Sequence, residues 1–261
     1  MVRRIVFLVG VFTAFFLLSG LNRTLAKVDG LAGAWLFESG KGNKVVDASK
    51  RGHDGKLVGK VKWTKNGKFG KGLEFDGSES YVEIPDSKDF EFAGDFSITF
   101  WLKSEMPAPG SLGIVTKGYH DKSNTKPWYL VYFVPAGSMD FYLRNEANNN
   151  SRAVGTTKVN DGKWHHLVAM KAGDKVKMIV DGKEDGATAV TGKATYGKHD
   201  YPLVFMAHYF RYVEGFLDEV ALFNKALSTK EITSIMKGLE AFLSVNGAGK
   251  LSIFWSQIKQ Q

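Results

Sequence analysis

Phe96-Ser97-Ile98-Thr99-Phe100-Trp101-Leu102 carries a large apolar residue at every second position. Successive side chains of a strand point to opposite faces, so Phe96, Ile98, Phe100 and Leu102 share one face and Ser97, Thr99 and Trp101 the other. That alternation predicts an antiparallel strand with one face in a core. Outward from it the same pattern recurs as short apolar segments separated by Gly, Asp and Asn. Upstream lie Leu31–Phe37, Leu57–Trp63, Gly72–Phe75 and Tyr81–Ile84. Downstream lie Gly113–Thr116, Trp128–Val134, Met139–Leu143, Trp164–Met170, Val176–Val180, Leu203–Ala207 and Phe216–Phe223. About a dozen strands without intervening helices predict an all-β chain, a two-sheet antiparallel jelly-roll sandwich. Glycine, 29 of 261 residues, exceeds the ordinary fraction, as turns between so many strands require.

One helix interrupts the pattern. Ser228-Thr229-Lys230-Glu231 is a capping box, Ile232, Ile235 and Met236 supply an apolar face, and Gly238 is placed to end the helix. So short a helix is expected to dock on a sheet edge. Beyond it, Phe242–Val245 and Leu251–Trp255 flank Asn246-Gly247-Ala248-Gly249, which predicts a hairpin or tail over 241–261. Asp76-Gly77 and Asp181-Gly182 each follow an apolar strand and read as tight turns. His165 and His166 are strand neighbours that face opposite ways and cannot chelate one ion.

The first 26 residues stand apart. Arg3 and Arg4 precede an apolar run, Ile5–Leu18, and small or polar residues follow to Ala26. This is the layout of an export signal cleaved after Ala26, with retention as an anchor as the alternative. The run is shorter than the roughly 20 residues a membrane helix needs, so no span is expected after cleavage. The expected organisation is a signal peptide over 1–26, a sandwich domain over 27–240 and the tail. The expected location is secreted, periplasmic or cell-surface. Removing the leader's three arginines from 35 basic residues leaves 32 against 27 acidic ones, a net charge of +5. The lysines are scattered in the manner of a solvated sheet face, and no basic arm or helix points to nucleic acid. Cysteine is absent, which excludes disulfides, thiol nucleophiles and thiolate zinc sites.

Four stretches in order resemble the laminin G-like, concanavalin A-like lectin/glucanase jelly-roll superfamily, which includes the pentraxins. They are Ala34–Glu38 with Asp47–Gly55; Phe69–Gly77 with Tyr81–Ile84; Asp161–Val168 with Ile179–Gly182; and Gly215–Val220 with Ala226–Ser228. The resemblance spans about Leu31 to Lys237. It implies a sandwich fold, and it implies a structural calcium ion held by the carboxylates of Asp47 and Asp218 with backbone oxygen from around His53. Calcium takes six to eight oxygens, and the glycine-bracketed loop Ser49–Gly55 offers carbonyls. Fold alone does not fix function, because this architecture carries binding, adhesive and enzymatic activities.

The loops hold the candidate ligand residues. Lys117–Tyr129 contains Tyr119, His120 and Trp128, Asn145–Arg152 contains Asn148 among three consecutive asparagines, and Ala207–Val213 contains His208, Tyr209 and Arg211. Aromatic rings that stack on sugar faces, beside directional Asn, His and Arg donors, suit a glycan site. Sandwich glycosidases instead need two carboxylates converging on one bond. The nearest set, Glu214, Asp218 and Glu219, lacks alternate spacing, and no serine-elbow, zinc or phosphate-loop motif is present. The sequence therefore predicts an exported, non-catalytic, lectin-like or adhesive module for extracellular carbohydrate or a cell-surface or matrix protein. The alternatives are a polysaccharide-active glycosidase or lyase, and a structural subunit of an envelope or matrix assembly.

Overall fold

The computed structural model describes residues 28–107, 110–118 and 127–245. In chain order the strands are β1 (Leu31–Trp35), β2 (Lys44–Val45), β3 (Gly55–Val58), β4 (Lys62–Thr64), β5 (Gly72–Asp76), β6 (Tyr81–Ile84), β7 (Phe96–Lys103), β8 (Leu112–Lys117) and β9 (Trp128–Phe133). There follow β10 (Met139–Arg144), β11 (Asn150–Val154), β12 (His165–Ala172), β13 (Lys175–Val180), β14 (Lys183–Ala189), β15 (Leu203–Phe205), β16 (Ala207–His208), β17 (Arg211–Tyr212), β18 (Glu214–Phe223) and the helix α1 (Thr229–Ile235).

Two antiparallel sheets face each other. The first runs β14-β13-β12-β7-β18-β5-β4, with β1 also paired to β18; the second runs β11-β10-β9-β8-β15-β6-β3-β2; β16 and β17 form a separate hairpin. The pairing of β7 with β12 sets Phe100 opposite Leu167, and its pairing with β18 sets Leu222 opposite Ile98. The core lies between the sheets and holds Trp35, Phe96, Phe100, Phe133, Phe141, Phe205, Leu217 and Leu222. Phe96 is central to it, stacked on Phe92 at 4.6 Å between ring centroids and set edge-on to Phe141 at 5.7 Å.

The expected all-β jelly-roll sandwich is what the chain forms, with three local differences. Leu57–Trp63, expected as one strand, is split: β3 belongs to the second sheet and β4 to the first. The expected edge-docked helix instead covers the outer face of the first sheet, where Leu227, Ile232 and Ile235 pack on Val168, Met170, Ala221 and Phe223. β7 is buried on both faces despite its alternation, because Ser97 accepts the Leu227 amide at 3.1 Å ahead of the helix, Thr99 meets His166 at 2.7 Å and Trp101 lies edge-on to Phe69 at 6.0 Å. Phe242–Val245, expected as a strand, is helical within a stretch over 239–245. Leu239, Phe242 and Leu243 are buried in the same outer cluster, with Phe242 edge-on to Phe223 at 6.2 Å. The carboxylate of Glu219 accepts the Leu239 amide at 2.9 Å and so starts this helical turn from a distant strand. The rest of the expected hairpin and the leader lie outside the described residues.

The capping box forms as expected. Ser228 Oγ accepts from the Glu231 amide while Glu231 accepts from the Ser228 amide. The turn at Asp181-Gly182 has both residues at positive φ, 50° and 79°. His165 lies between Asp181 and Asp161 at 2.8 and 3.0 Å, whereas His166 is buried against Thr99 Oγ1 at 2.7 Å.

The docking of Phe242 is testable. Truncating a buried phenylalanine costs about 3–5 kcal/mol. Phe242→Ala is therefore expected to lower the unfolding free energy by that amount, read as a lower urea midpoint at unchanged m-value. A loss below about 1 kcal/mol would mean that 239–245 contributes no packing.

Candidate functional site

The outer face of the second sheet is built by alternation. In β9, Tyr129, Val131 and Phe133 enter the core, which turns Trp128, Leu130 and Tyr132 outward. In β10, Met139, Phe141 and Leu143 enter the core, which turns Asp140, Tyr142 and Arg144 outward. The outward residues form an aromatic cluster of their own. Trp128 meets Tyr142 edge-on at 4.9 Å, and Tyr132 lies 6.3 Å from Tyr142.

The β16–β17 hairpin stands over this cluster. Its two-residue turn is Tyr209-Phe210, with φ of 51° and 56°, and Met206 just before it is at 67°. Asn-Gly is the usual occupant of such a turn because only small or glycine residues adopt positive φ cheaply. Bulky residues there cost about 1–2 kcal/mol each, and strain of this kind gathers at functional sites. The hairpin is held by the Met206 amide donating to the Ile114 carbonyl at 2.9 Å and by Thr116 Oγ1 donating to the Ala207 carbonyl at 3.2 Å. A stack of Tyr212 on Tyr81 at 6.3 Å holds its other strand. Gly113 makes room for it, since a Cβ there would stand 2.5 Å from the Cβ of His208.

Between hairpin and sheet lies a cavity of about 210 Å³ lined by Ser111, Leu130, Tyr132, Tyr142, His208, Tyr209 and Arg211. His208 is buried, while Tyr209 and Phe210 are 38% and 56% exposed, so the turn offers rings to solvent. Arg211 sits at the mouth and donates from Nη1 to the Ser111 carbonyl at 3.4 Å. Asp140 is fully buried beneath Tyr132. It accepts from Arg152, from Tyr132 Oη at 3.3 Å and from the Gly155 amide at 3.2 Å. Burial first, and the neighbouring Asp140 charge second, keep the Tyr132 hydroxyl protonated. The arrangement can stack a ring and bond its polar edge, and among the described residues no carboxylate lines the cavity.

Three of the expected ligand residues, His208, Tyr209 and Arg211, are brought together here. Trp128 lies on the same face but is buried under its neighbours and does not line the cavity. Asn148 sits in the Asn145–Asn149 turn at φ 66°, donating its amide to the Asn145 carbonyl at 3.1 Å, and is also outside the lining. Tyr119 and His120 lie outside the described residues. Sequence reasoning missed Ser111, Leu130, Tyr132 and Tyr142. Every residue of β9 is apolar or aromatic, so its alternation does not say which face is outside; in β10, Asp140 and Arg144 at alternate positions with Tyr142 were the signal that could have placed it outward.

The family model described as the concanavalin A-like lectin/glucanases superfamily matches residues 76–233, more than half of the chain. The chain belongs to this superfamily. No curated protein matches it by sequence. Among solved structures, the superfamily sandwich seen here is similar to the binding domain of Paraclostridial Mosquitocidal Protein 1, with TM-score 0.64 and 13% identity over 79% of this chain and 51% of that one. It is similar to domain 4 of AbnA, an extracellular arabinanase from Geobacillus stearothermophilus solved with arabinotriose, with TM-score 0.62 and 16% identity over 78% and 97% of the two chains. A third similar structure belongs to botulinum neurotoxin type C, whose cell entry depends on two ganglioside molecules. There the TM-score is 0.60 and the identity 14%, over 79% of this chain and 50% of that one. The chain thus spans about half the length of the two toxin structures. At such identities the likeness is one of fold.

The residues for which the superfamily resemblance implied calcium each make hydrogen bonds within the chain. Asp47 Oδ1 accepts the Ala34 and Ser49 amides at 3.2 and 2.9 Å, and its Oδ2 accepts the His53 amide at 3.0 Å. The His53 carbonyl accepts Trp35 Nε1 at 2.9 Å. Asp218 accepts the Phe69 and Glu219 amides at 3.0 and 2.8 Å. Among the described residues no group of three or more His, Asp or Glu side chains is placed to hold a metal. Asp47 is instead the organiser of its loop, which Arg51 further ties down through paired bonds to Asp89 at 2.8 and 2.6 Å.

Asp218 and Glu219 flank a bulge in β18, with Glu219 at φ 46°. The bulge breaks the alternation, so that Leu217 and Val220 both enter the core, and Asp218 and Glu219 between them are buried rather than solvated. Burial pushes each carboxyl up to about 7. A folded-state pKa above the unfolded one gives stability that is complete below the unfolded pKa and is lost as pH rises through the folded pKa. The melting temperature is therefore expected to fall between about pH 5 and pH 8. Asp218→Asn, whatever its absolute stability, should flatten that slope. A flat wild-type profile over this range would show that neither carboxyl is shifted.

Proposed function

We propose that the chain is a non-catalytic carbohydrate-recognition module acting outside the cytoplasm, with its binding site between the β16–β17 hairpin and the outer face of β9 and β10. The observation that carries this is the cavity in which Tyr132, Tyr142 and Tyr209 surround a polar set of Ser111, His208 and Arg211. Tyrosine rings give flat apolar area against a sugar ring, and the polar set supplies directional hydrogen bonds at its edge. The strained aromatic turn supports the reading, because a sequence that served packing alone would place Asn-Gly there. The arabinotriose bound to a similar domain and the gangliosides of the neurotoxin support a sugar as the ligand class. Export rests on the 1–26 leader. A cell-surface or matrix protein bearing such a glycan is a partner of the same chemistry.

The enzymatic reading has a different address. Glu74, Glu105 and Glu214 line a cavity of about 270 Å³ beside Lys103 and Phe216, on the first sheet. Hydrolysis requires two carboxyl groups about 5–10 Å apart across the scissile bond. Turnover of a polysaccharide that Glu214→Gln abolishes would favour catalysis over recognition.

A glycan array, followed by calorimetry on the best ligand, tests the main reading. Tyr142→Ala and Tyr209→Ala are each expected to weaken binding about 10-fold, equivalent to about 1.4 kcal/mol. Melting temperature should change little for exposed Tyr209. Retention of full affinity in both variants would place the ligand elsewhere. Failure to bind any glycan, with capture of an unglycosylated protein partner instead, would replace recognition of sugar by protein adhesion.

A further inference from the structure

The charges around the cavity do not balance. Arg152 is matched by Asp140, and Arg51, far from the site, is matched by Asp89. Arg211, at the mouth of the cavity, has no carboxylate partner among the described residues and makes only the 3.4 Å contact to the Ser111 carbonyl. Arg144 follows Tyr142 by two residues on the same face of β10, about 7 Å along the strand. Its Nε is buried without a hydrogen-bond partner, and it too has no carboxylate partner among the described residues. The one acid on this stretch, Asp140, is spent on Arg152, Tyr132 and the Gly155 amide. Around the cavity, three guanidinium groups thus stand beside one carboxylate, Asp140, while Glu83, farther along the face on β6, is paired with Lys56.

A guanidinium carries five N–H donors in a planar fork that matches an oxyanion through two parallel bonds. A neutral sugar seated on Tyr132 and Tyr142 would strip water from Arg211 and return only hydroxyl acceptors. Charge-assisted bonds are roughly twice as strong as neutral ones, so an acidic group at this point compensates the lost hydration and a neutral one does not. From this geometry we infer that the cavity recognises an acidic saccharide, its carboxylate or sulfate paired with Arg211 at the mouth while an adjoining ring lies on the tyrosines toward Arg144. The inference rests on the glycan reading above and adds the charge class of the ligand.

The test compares each acidic probe with its uncharged counterpart: oligogalacturonate and alginate oligomers against their methyl esters, and sulfated dextran against dextran, using the full chain. At least one acidic member is expected to bind 10-fold or more tightly than its counterpart, with affinity falling as salt rises. Which pair shows the preference distinguishes carboxylate from sulfate. In Arg211→Gln the acidic member should drop to the level of its counterpart, and Arg144→Gln should narrow the gap in part. Equal binding of charged and uncharged members overturns the inference while leaving glycan recognition in place. So does a preference that Arg211→Gln leaves intact, since the charge would then be read elsewhere. Binding of no glycan in any arm fails the underlying reading itself.

Discussion

The antiparallel pairing of β18 holds the molecule together. Over ten residues this strand is bonded to β1, β5 and β7, which come from three separate parts of the chain. One face of the strand sends Leu217, Val220 and Leu222 between the sheets, and the other sends Ala221 and Phe223 beneath α1. The switch is made possible by the bulge at Asp218 and Glu219, since an extra residue in one strand re-aims the side chains after it. Glu219 then reaches the amide of Leu239 and fixes the helical stretch that follows α1. A strand buried on both faces leaves the first sheet little open surface near its centre. The exposed working surface therefore falls to the second sheet.

On that second sheet, stability and function pull in different directions. Filling the space between the sheets is served by Tyr129, Val131, Phe133 and Phe141, and nothing in that task requires aromatic residues on the opposite side. Yet Trp128, Tyr132 and Tyr142 stand there, and Tyr209 and Phe210 hold a turn that disfavours them. The surrounding anchors bear the strain: the bonds from Met206 and Thr116, the Tyr81 stack and the room left by Gly113. A rigid floor under a strained, ring-bearing rim is a pre-organised site, which spares a ligand part of the ordering cost of binding.

Much of the fold was legible in the sequence because it is written in short-range chemistry. The alternation Phe96 to Leu102, the Ser228–Glu231 box and the Asp181-Gly182 turn each depend on neighbours in sequence, and each appears in place. What was not legible depends on distant partners. The helical state of Phe242–Val245 follows from burial against Phe223 and a cap from Glu219, neither of which a local apolar run reveals. The separation of β3 from β4 reflects which sheet each joins. Among site residues, the Ala207–Val213 loop announced itself by composition, and His208, Tyr209 and Arg211 do line the cavity. Tyr132 looked like core because β9 is apolar on both faces, whereas Tyr142 shares its face of β10 with Asp140 and Arg144, which marks that face as the outer one. The calcium expectation came from the resemblance, whereas the role of Asp47 visible here, accepting the Ala34, Ser49 and His53 amides, depends on how its loop meets β1.

The central claim is one of place: recognition occurs on the outer face of the second sheet, under the β16–β17 hairpin. Backbone amide chemical shifts recorded while an oligosaccharide is titrated locate the contact surface directly. The account predicts shifts gathered in Trp128–Phe133, Met139–Arg144 and residues 206–213, with Glu74, Glu105 and Glu214 unmoved. Shifts centred on those three glutamates, with the hairpin silent, would contradict it.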